Sequence, residues 1–264
     1  MDLGLKERVA LVLAGSQGLG RATATALATE GASVAIGARN KQNLEKTAQD
    51  IREATGSHIL AVPTDVTQVE EIEALVMATV REFGRIDILV NNAGGPPAGT
   101  FESLDDTQWQ AAFELNLLSA VRCTRLVLPY MRQTGSGRII NIVSLSVKQP
   151  LDHLLLSNAI RPGVIGLAKT LSLELAPDRI TVNNVCPGIM LTDRIRQGTR
   201  MNHLLSQGMS ESEALAELAK DIPLRRIGRP EELGALVAFL ASRQAEYITG
   251  TTIQIDGGLV RALY

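Results

Sequence analysis

The stretch Leu13-Ala14-Gly15-Ser16-Gln17-Gly18-Leu19-Gly20 decides how this chain is read. It ends the apolar run 8–13 and leads into Arg21-Ala22-Thr23, where apolar residues begin to recur at helical spacing. A buried strand, a glycine-rich turn and a helix N-terminus in that order make a phosphate cradle. The glycines let the backbone turn tightly and come close to an anion, while the unpaired N–H groups and positive dipole end of the helix face it. The order of elements, more than the glycines alone, predicts that Ala14, Gly15, Ser16, Gln17, Gly18, Leu19 and Gly20 hold the pyrophosphate of a nicotinamide dinucleotide.

Outward from that turn, short β-branched runs alternate with longer segments of helical periodicity. Strands are expected at residues 8–13, 33–38, 59–64, 86–91, 137–143, 181–186 and 252–255, most of them near-continuous apolar runs, as strands buried on both faces should be. Helices are expected around 18–30, 41–55, 69–83, 107–132, 159–175 and 230–241. Right-handed crossovers then give an α/β fold, a single doubly wound Rossmann domain with a seven-stranded parallel sheet and helices on both faces, over residues 1–264. The polar segment 192–229, with a short helix around 212–220, is expected to form a substrate lid within that domain.

Bulk properties narrow the function classes. The 264 residues are 45% hydrophobic and 20% charged, the composition of a globular protein with a sizeable core. A net charge of −2 gives no basic field for nucleic acid or an anionic membrane surface, so neither is an expected partner. Cys123 and Cys186 lie far apart, outside any metal-binding spacing, and read as buried thiols of a reducing compartment, with no metal site. The start, Met1-Asp2-Leu3-Gly4-Leu5-Lys6-Glu7, carries no apolar signal region, and apolar runs elsewhere fall short of the roughly 20 residues that span a bilayer. The expected location is cytoplasmic.

The second strand ends Gly37-Ala38-Arg39-Asn40, where an NAD-binding domain usually places an acid for the adenosine ribose. A guanidinium there can pair with a 2′-phosphate and stack on adenine, so NADP(H) is expected in preference to NAD(H). Asp65-Val66, after the third strand, would put a carboxylate near the adenine amino group.

With Asn91-Asn92-Ala93-Gly94, Glu114-Leu115-Asn116, Ser144, Pro187-Gly188 followed by Thr192, Ile248-Thr249-Gly250-Thr251 and Asp256-Gly257-Gly258, the chain resembles the short-chain dehydrogenase/reductase family along almost its whole length. The nearest branch is similar to the 3-oxoacyl-acyl-carrier-protein reductases. The resemblance implies that Asn92, Ala93 and Gly94 back the nicotinamide side of the site, with Asn91 leading into them. It also implies that Pro187 and Gly188 lie against the cofactor, that Ile189 to Thr192 clamp the carboxamide, that Asn116 orders a water in a proton relay, and that Ser144 polarises a substrate carbonyl. The implied activity is reduction of a 3-oxoacyl thioester or other ketone or aldehyde, by a homodimer or homotetramer.

At the family's catalytic tyrosine and lysine the likeness fails: those positions fall on Ser157 and Arg161. A phenol with a pKa near 10, lowered by a lysine ammonium, can donate a proton as hydride arrives. A serine hydroxyl hydrogen-bonds an oxyanion but is a much weaker acid, and an arginine holds its charge without shuttling protons. Arg161 can still hold the nicotinamide ribose or a substrate carboxylate. His153 and Lys148 are candidate replacements, Ser146 reads as a capping hydroxyl, and Pro162 predicts a helix that starts near Ser157 or Asn158 or kinks there. Three readings stay open: a reductase with an atypical site, a dinucleotide-binding protein without turnover, and non-redox chemistry in the same pocket.

Overall fold

Seven strands lie parallel in the order β3-β2-β1-β4-β5-β6-β7 in the computed structural model, which describes residues 2–263. They are β1 (Val9–Leu13), β2 (Ser33–Ala38), β3 (Ile59–Pro63), β4 (Ile88–Asn91), β5 (Gly137–Ile142), β6 (Ile180–Pro187) and β7 (Thr252–Ile255). Every residue of β1, β4 and β6 is buried, which is why these runs carry no polar alternation. The order reverses between β1 and β4, paired from Ala10 with Ile88 to Val12 with Val90, and this opens a crevice at the carboxyl ends of the strands.

Helices cover both faces. On one, α1 (Gly18–Thr29), α2 (Lys41–Thr55) and α10 (Pro230–Ala241) pack over Val12, Val34, Ile36 and Val90. Side chains such as Leu27 and Ile36 are fully buried there, each worth about 1.5–3 kcal/mol. On the other, α3 (Val69–Phe83), α5 (Ser119–Thr134) and α6 (Leu155–Glu174) cover Leu11, Leu13, Leu89 and Ile139. The contact of α1 with α10 is close because Gly234 has no side chain: a Cβ there would stand 2.7 Å from the Ala22 carbonyl oxygen.

Three expectations need correction. The segment expected as one helix over 107–132 is α4 (Asp106–Phe113), a π-helical turn at Glu114–Leu118, and then α5. The helix with Pro162 begins earlier than expected, at Leu155, and runs through the proline without a break in assignment. Asn158 supports its first turn by bonding both the N–H and the carbonyl of Leu151, while Pro162 lies on the exposed face with a φ that suits a helix. Within 192–229 there are three short helices where one was expected: α7 (Asp193–Arg196), α8 (Thr199–Ser206) and α9 (Glu211–Ala219). Met201, Leu204, Ala214 and Leu218 form a small core of their own, which makes this segment a packed unit over the crevice. No helix among the described residues is long and apolar enough to cross a membrane.

Candidate active site

The glycine turn is built so closely that its side chains are nearly dictated. Gly15 donates its N–H to the Gly37 carbonyl at 3.1 Å, tying the turn to β2, and a Cβ on Gly15 would stand 2.8 Å from the Ile36 side chain. Gly18 has φ +54°, in the left-handed region. A Cβ on Gly20 would overlap the Ala14 carbonyl oxygen and stand 2.9 Å from Asn92 Nδ2, itself bonded to the Leu13 carbonyl at 3.3 Å. Ala14 has φ +48°, a conformation that an alanine adopts at a cost of roughly 1–2 kcal/mol. Gln17 precedes α1 without a side-chain cap, so its first-turn N–H groups are left to face a ligand. Ser16 accepts from Thr47 Oγ1 at 2.7 Å through its carbonyl, and Leu19 packs on the core beneath.

At the end of β2, Arg39 is exposed, and Asn40 caps α2 by accepting from the Asn43 N–H at 2.9 Å. Asp65 accepts from both the N–H and the hydroxyl of Thr67, which uses one of its carboxylate oxygens in a turn. Val66 is buried against α3. Beyond β4, Asn92 and Ala93 are half-buried and Gly94 is exposed along the crevice. Asn91 points into the sheet and bonds Asn141, which bonds Asn184, an amide ladder across β4, β5 and β6.

Past β6, Gly188 donates to the Ile255 carbonyl at 3.0 Å, and a Cβ there would stand 2.7 Å from Asp256 Cα. That contact fixes Pro187 and the half-buried Ile189 at the mouth of the crevice. Thr192 reaches back to the phosphate turn, its Cγ2 standing 3.4 Å from the position a Gly18 Cβ would take. The start of segment 192–229 therefore lies over the glycine turn.

Ser144 and Ser157 are joined through Ser146, a residue that sequence reasoning set aside. Ser144 Oγ accepts from the Ser146 N–H at 3.1 Å, and Ser146 Oγ lies 2.9 Å from Ser157 Oγ, both buried. Arg161, one turn along α6 from Ser157, is 7% exposed; its Nη1 reaches the Ile142 carbonyl only at 3.5 Å and its Nε has no partner within the protein. Burial, with the nearby charge of Arg194 second, pushes its pKa down to about 10, so it remains charged at neutral pH. Asn116 sits in the π turn; its Nδ2 bonds the Ala112 carbonyl at 3.1 Å while its buried Oδ1 lacks a protein partner. Such turns often mark functional sites.

Other candidates lie apart. His153 is exposed, with φ +59°, and its ring makes no hydrogen bond to the serines; its carbonyl accepts from Gly99. Lys148 is half-buried, and Lys169 is exposed beside Gly250, ahead of β7, at the opposite end of the sheet from the serines. Cys186 is buried below Arg161, and burial pushes its thiol up to about 12, as it does that of Cys123. Neither thiol is a nucleophile at neutral pH.

A doubly wound sheet, a glycine turn at its switch point and a polar cluster at the ends of β5 and α6 define a dinucleotide-binding α/β protein. The family profile described as Enoyl-(Acyl carrier protein) reductase matches residues 13–260. A 3-oxoacyl-acyl-carrier-protein reductase of Synechocystis is 37% identical over 258 residues, covering 97% of this chain and 98% of the relative. The crystal structure of L-sorbose reductase from Gluconobacter frateurii, complexed with NADPH and L-sorbose, superimposes with a TM-score of 0.96 at 34% identity, covering 100% of both chains. An NADPH-bound short-chain oxidoreductase of Pseudomonas aeruginosa, described as containing an atypical catalytic center, has a TM-score of 0.89 at 33% identity and covers 97% of this chain and 98% of its own. The chain belongs to the short-chain dehydrogenase/reductase family.

Proposed function

We propose that this chain is an NADP(H)-dependent oxidoreductase that reduces a carbonyl, in a 3-oxoacyl compound or another ketone or aldehyde, to an alcohol. The observation that carries the reading is the uncapped start of α1 behind a turn in which Gly20 admits no side chain. Two further features fit the cofactor. Arg39 stands exposed at the end of β2 for a 2′-phosphate, and two buried polar atoms, Arg161 Nε and Asn116 Oδ1, have no partner within the protein. Kinship with NADPH-bound structures supports the same choice.

NADPH supplies a hydride to the carbonyl carbon while the oxygen takes a proton, leaving the alcohol and NADP⁺. Residues 14–20 would hold its pyrophosphate, with Asn40, Asp65 and Val66 around the adenosine and Asn92–Gly94 and Pro187–Thr192 around the nicotinamide. Ser144, held by the Ser146 N–H, would donate a hydrogen bond to the carbonyl oxygen, and the proton would come from water, with the Ser146–Ser157 hydroxyl pair standing as weak acids in place of a phenol. Arg161 would hold the ribose or a charged group of the substrate. Segment 192–229 would exclude water as a lid.

A second reading, a dinucleotide-binding protein without turnover, is favoured by the buried Ser146–Ser157 pair, in which one hydroxyl already donates to the other. The readings separate when NADPH absorbance is followed with a panel of 3-oxoacyl thioesters, ketones and aldehydes. Turnover of any member supports the reductase; NADPH binding with no turnover across the panel supports the second reading.

Association is part of the proposal. Phe113 on α4 and Leu173 on α6 are 42% and 70% exposed, apolar side chains that a homodimer or homotetramer would cover. Light scattering is expected to give a multiple of 28.3 kDa; a single species of that mass rejects it.

A further inference from the structure

Arginines are rarely buried without a carboxylate. Arg161 is such a case, and the principal charge acting on it is that of another cation, Arg194. Arg194 stands on α7, and its guanidinium lies against Gly95, with Cζ 2.6 Å from the position a Gly95 Cβ would take. Among the described residues no ion pair joins either arginine to an acid. Two like charges, one of them buried, repel unless something negative completes them.

Position says what that partner is. Gly95 follows β4 and Ile142 ends β5, strands paired at Asn91 with Asn141, so both guanidiniums stand at the end of the sheet that carries Ser144, Ser146 and Ser157. The phosphate turn lies at the end of β1, on the other side of β4 from Ile142, which sets Arg161 apart from the pyrophosphate, while Arg194, two residues beyond Thr192, stands between the two. Ribose hydroxyls are neutral: they can accept from Arg161 but cannot neutralise a pair of cations. A planar carboxylate matches the fork of a guanidinium.

We propose that the pocket takes a carbonyl substrate that also bears a carboxylate, a small oxo acid, gripped by buried Arg161 from the wall and by Arg194 from the lid. This rests on the reductase reading given above and names its substrate class. Gly95 is then part of the device, because any side chain there would displace the lid arginine.

The test uses the full chain and two substrates that differ in charge, acetoacetate and methyl acetoacetate, with NADPH. The wild type is expected to prefer the acid in kcat/KM. In Arg194→Gln that acid-to-ester ratio is expected to fall about tenfold or more, through KM for the acid. Equal loss with both substrates, or NADPH binding weakened in proportion, assigns Arg194 to the cofactor or the lid and overturns the proposal, as does a wild type that prefers the ester. If neither compound is reduced, the reductase reading fails on these substrates, and a binding arm decides the inference separately. Butanoate is then expected to raise the Tm of the wild type more than the isosteric butanamide, and Arg194→Gln to erase that difference. Equal shifts with both ligands in the wild type overturn the proposal.

Discussion

Gly20→Ala is expected to leave a chain that no longer binds NADPH measurably in a fluorescence titration, with a weakening of about a hundredfold or more. The added methyl would overlap the Ala14 carbonyl oxygen and press on Asn92 Nδ2 at 2.9 Å, and neither neighbour is free to give way. Ala14 is already held at φ +48°, and Asn92 is tied to the Leu13 carbonyl. Crowding of this kind costs about 1–3 kcal/mol in stability. Loss of two N–H bonds to a charged phosphate, each worth about 1.5–3 kcal/mol, multiplies the effect on affinity. A circular-dichroism melt separates the two: the fold is expected to survive at a lower Tm because the sheet and both cores lie outside the clash. A variant that folds and binds NADPH as the wild type does would show that the turn is not the phosphate cradle.

The fold was legible because it rests on composition over several residues at a time. Strand β1 is apolar throughout and β6 is buried throughout, and the alternation with amphipathic helices leaves few topologies. The π turn at 114–118 was not legible, since Glu-Leu-Asn-Leu-Leu has ordinary helical periodicity and the extra residue shows only in the hydrogen bonding. Pro162 misled for a related reason. A proline forbids one bond, and the helix starts before it, at Leu155, where Asn158 of the first turn is bonded to Leu151.

The candidate site divides in the same way. Residues 14–20 and Arg39 could be picked from local spacing, and Ser144 and Asn116 from the family resemblance. Ser146 could not, because its role depends on Ser157 being brought to 2.9 Å by α6. Arg194 was hidden in a polar segment that reads as one of many charged stretches. The available signal was the doubled glycine, Gly94-Gly95, whose second member gives up a side chain where the arginine rests. Absence of a tyrosine and a lysine was plain in the sequence, whereas the unpaired Nε of Arg161 required the structure.

Arg39→Ser is expected to weaken NADPH by about ten- to a hundredfold while NADH changes by less than about threefold. The argument is one of charge. Arg39 is exposed, no acid pairs with it among the described residues, and it follows β2 beside the turn through which Gly15 is bonded to Gly37. A bond from a guanidinium to a phosphate is worth about 1.5–3 kcal/mol, and 1.4 kcal/mol is a factor of ten. NADH lacks the 2′-phosphate and has nothing to lose there except stacking on the guanidinium. The salt dependence supplies a second measurement. An exposed charge pair is screened over about 8 Å at physiological ionic strength, so raising the salt should weaken NADPH more in the wild type than in the variant. Equal losses for the two dinucleotides would mean that Arg39 supports the adenosine alone, and the preference for NADPH would then need another cation near the end of β2.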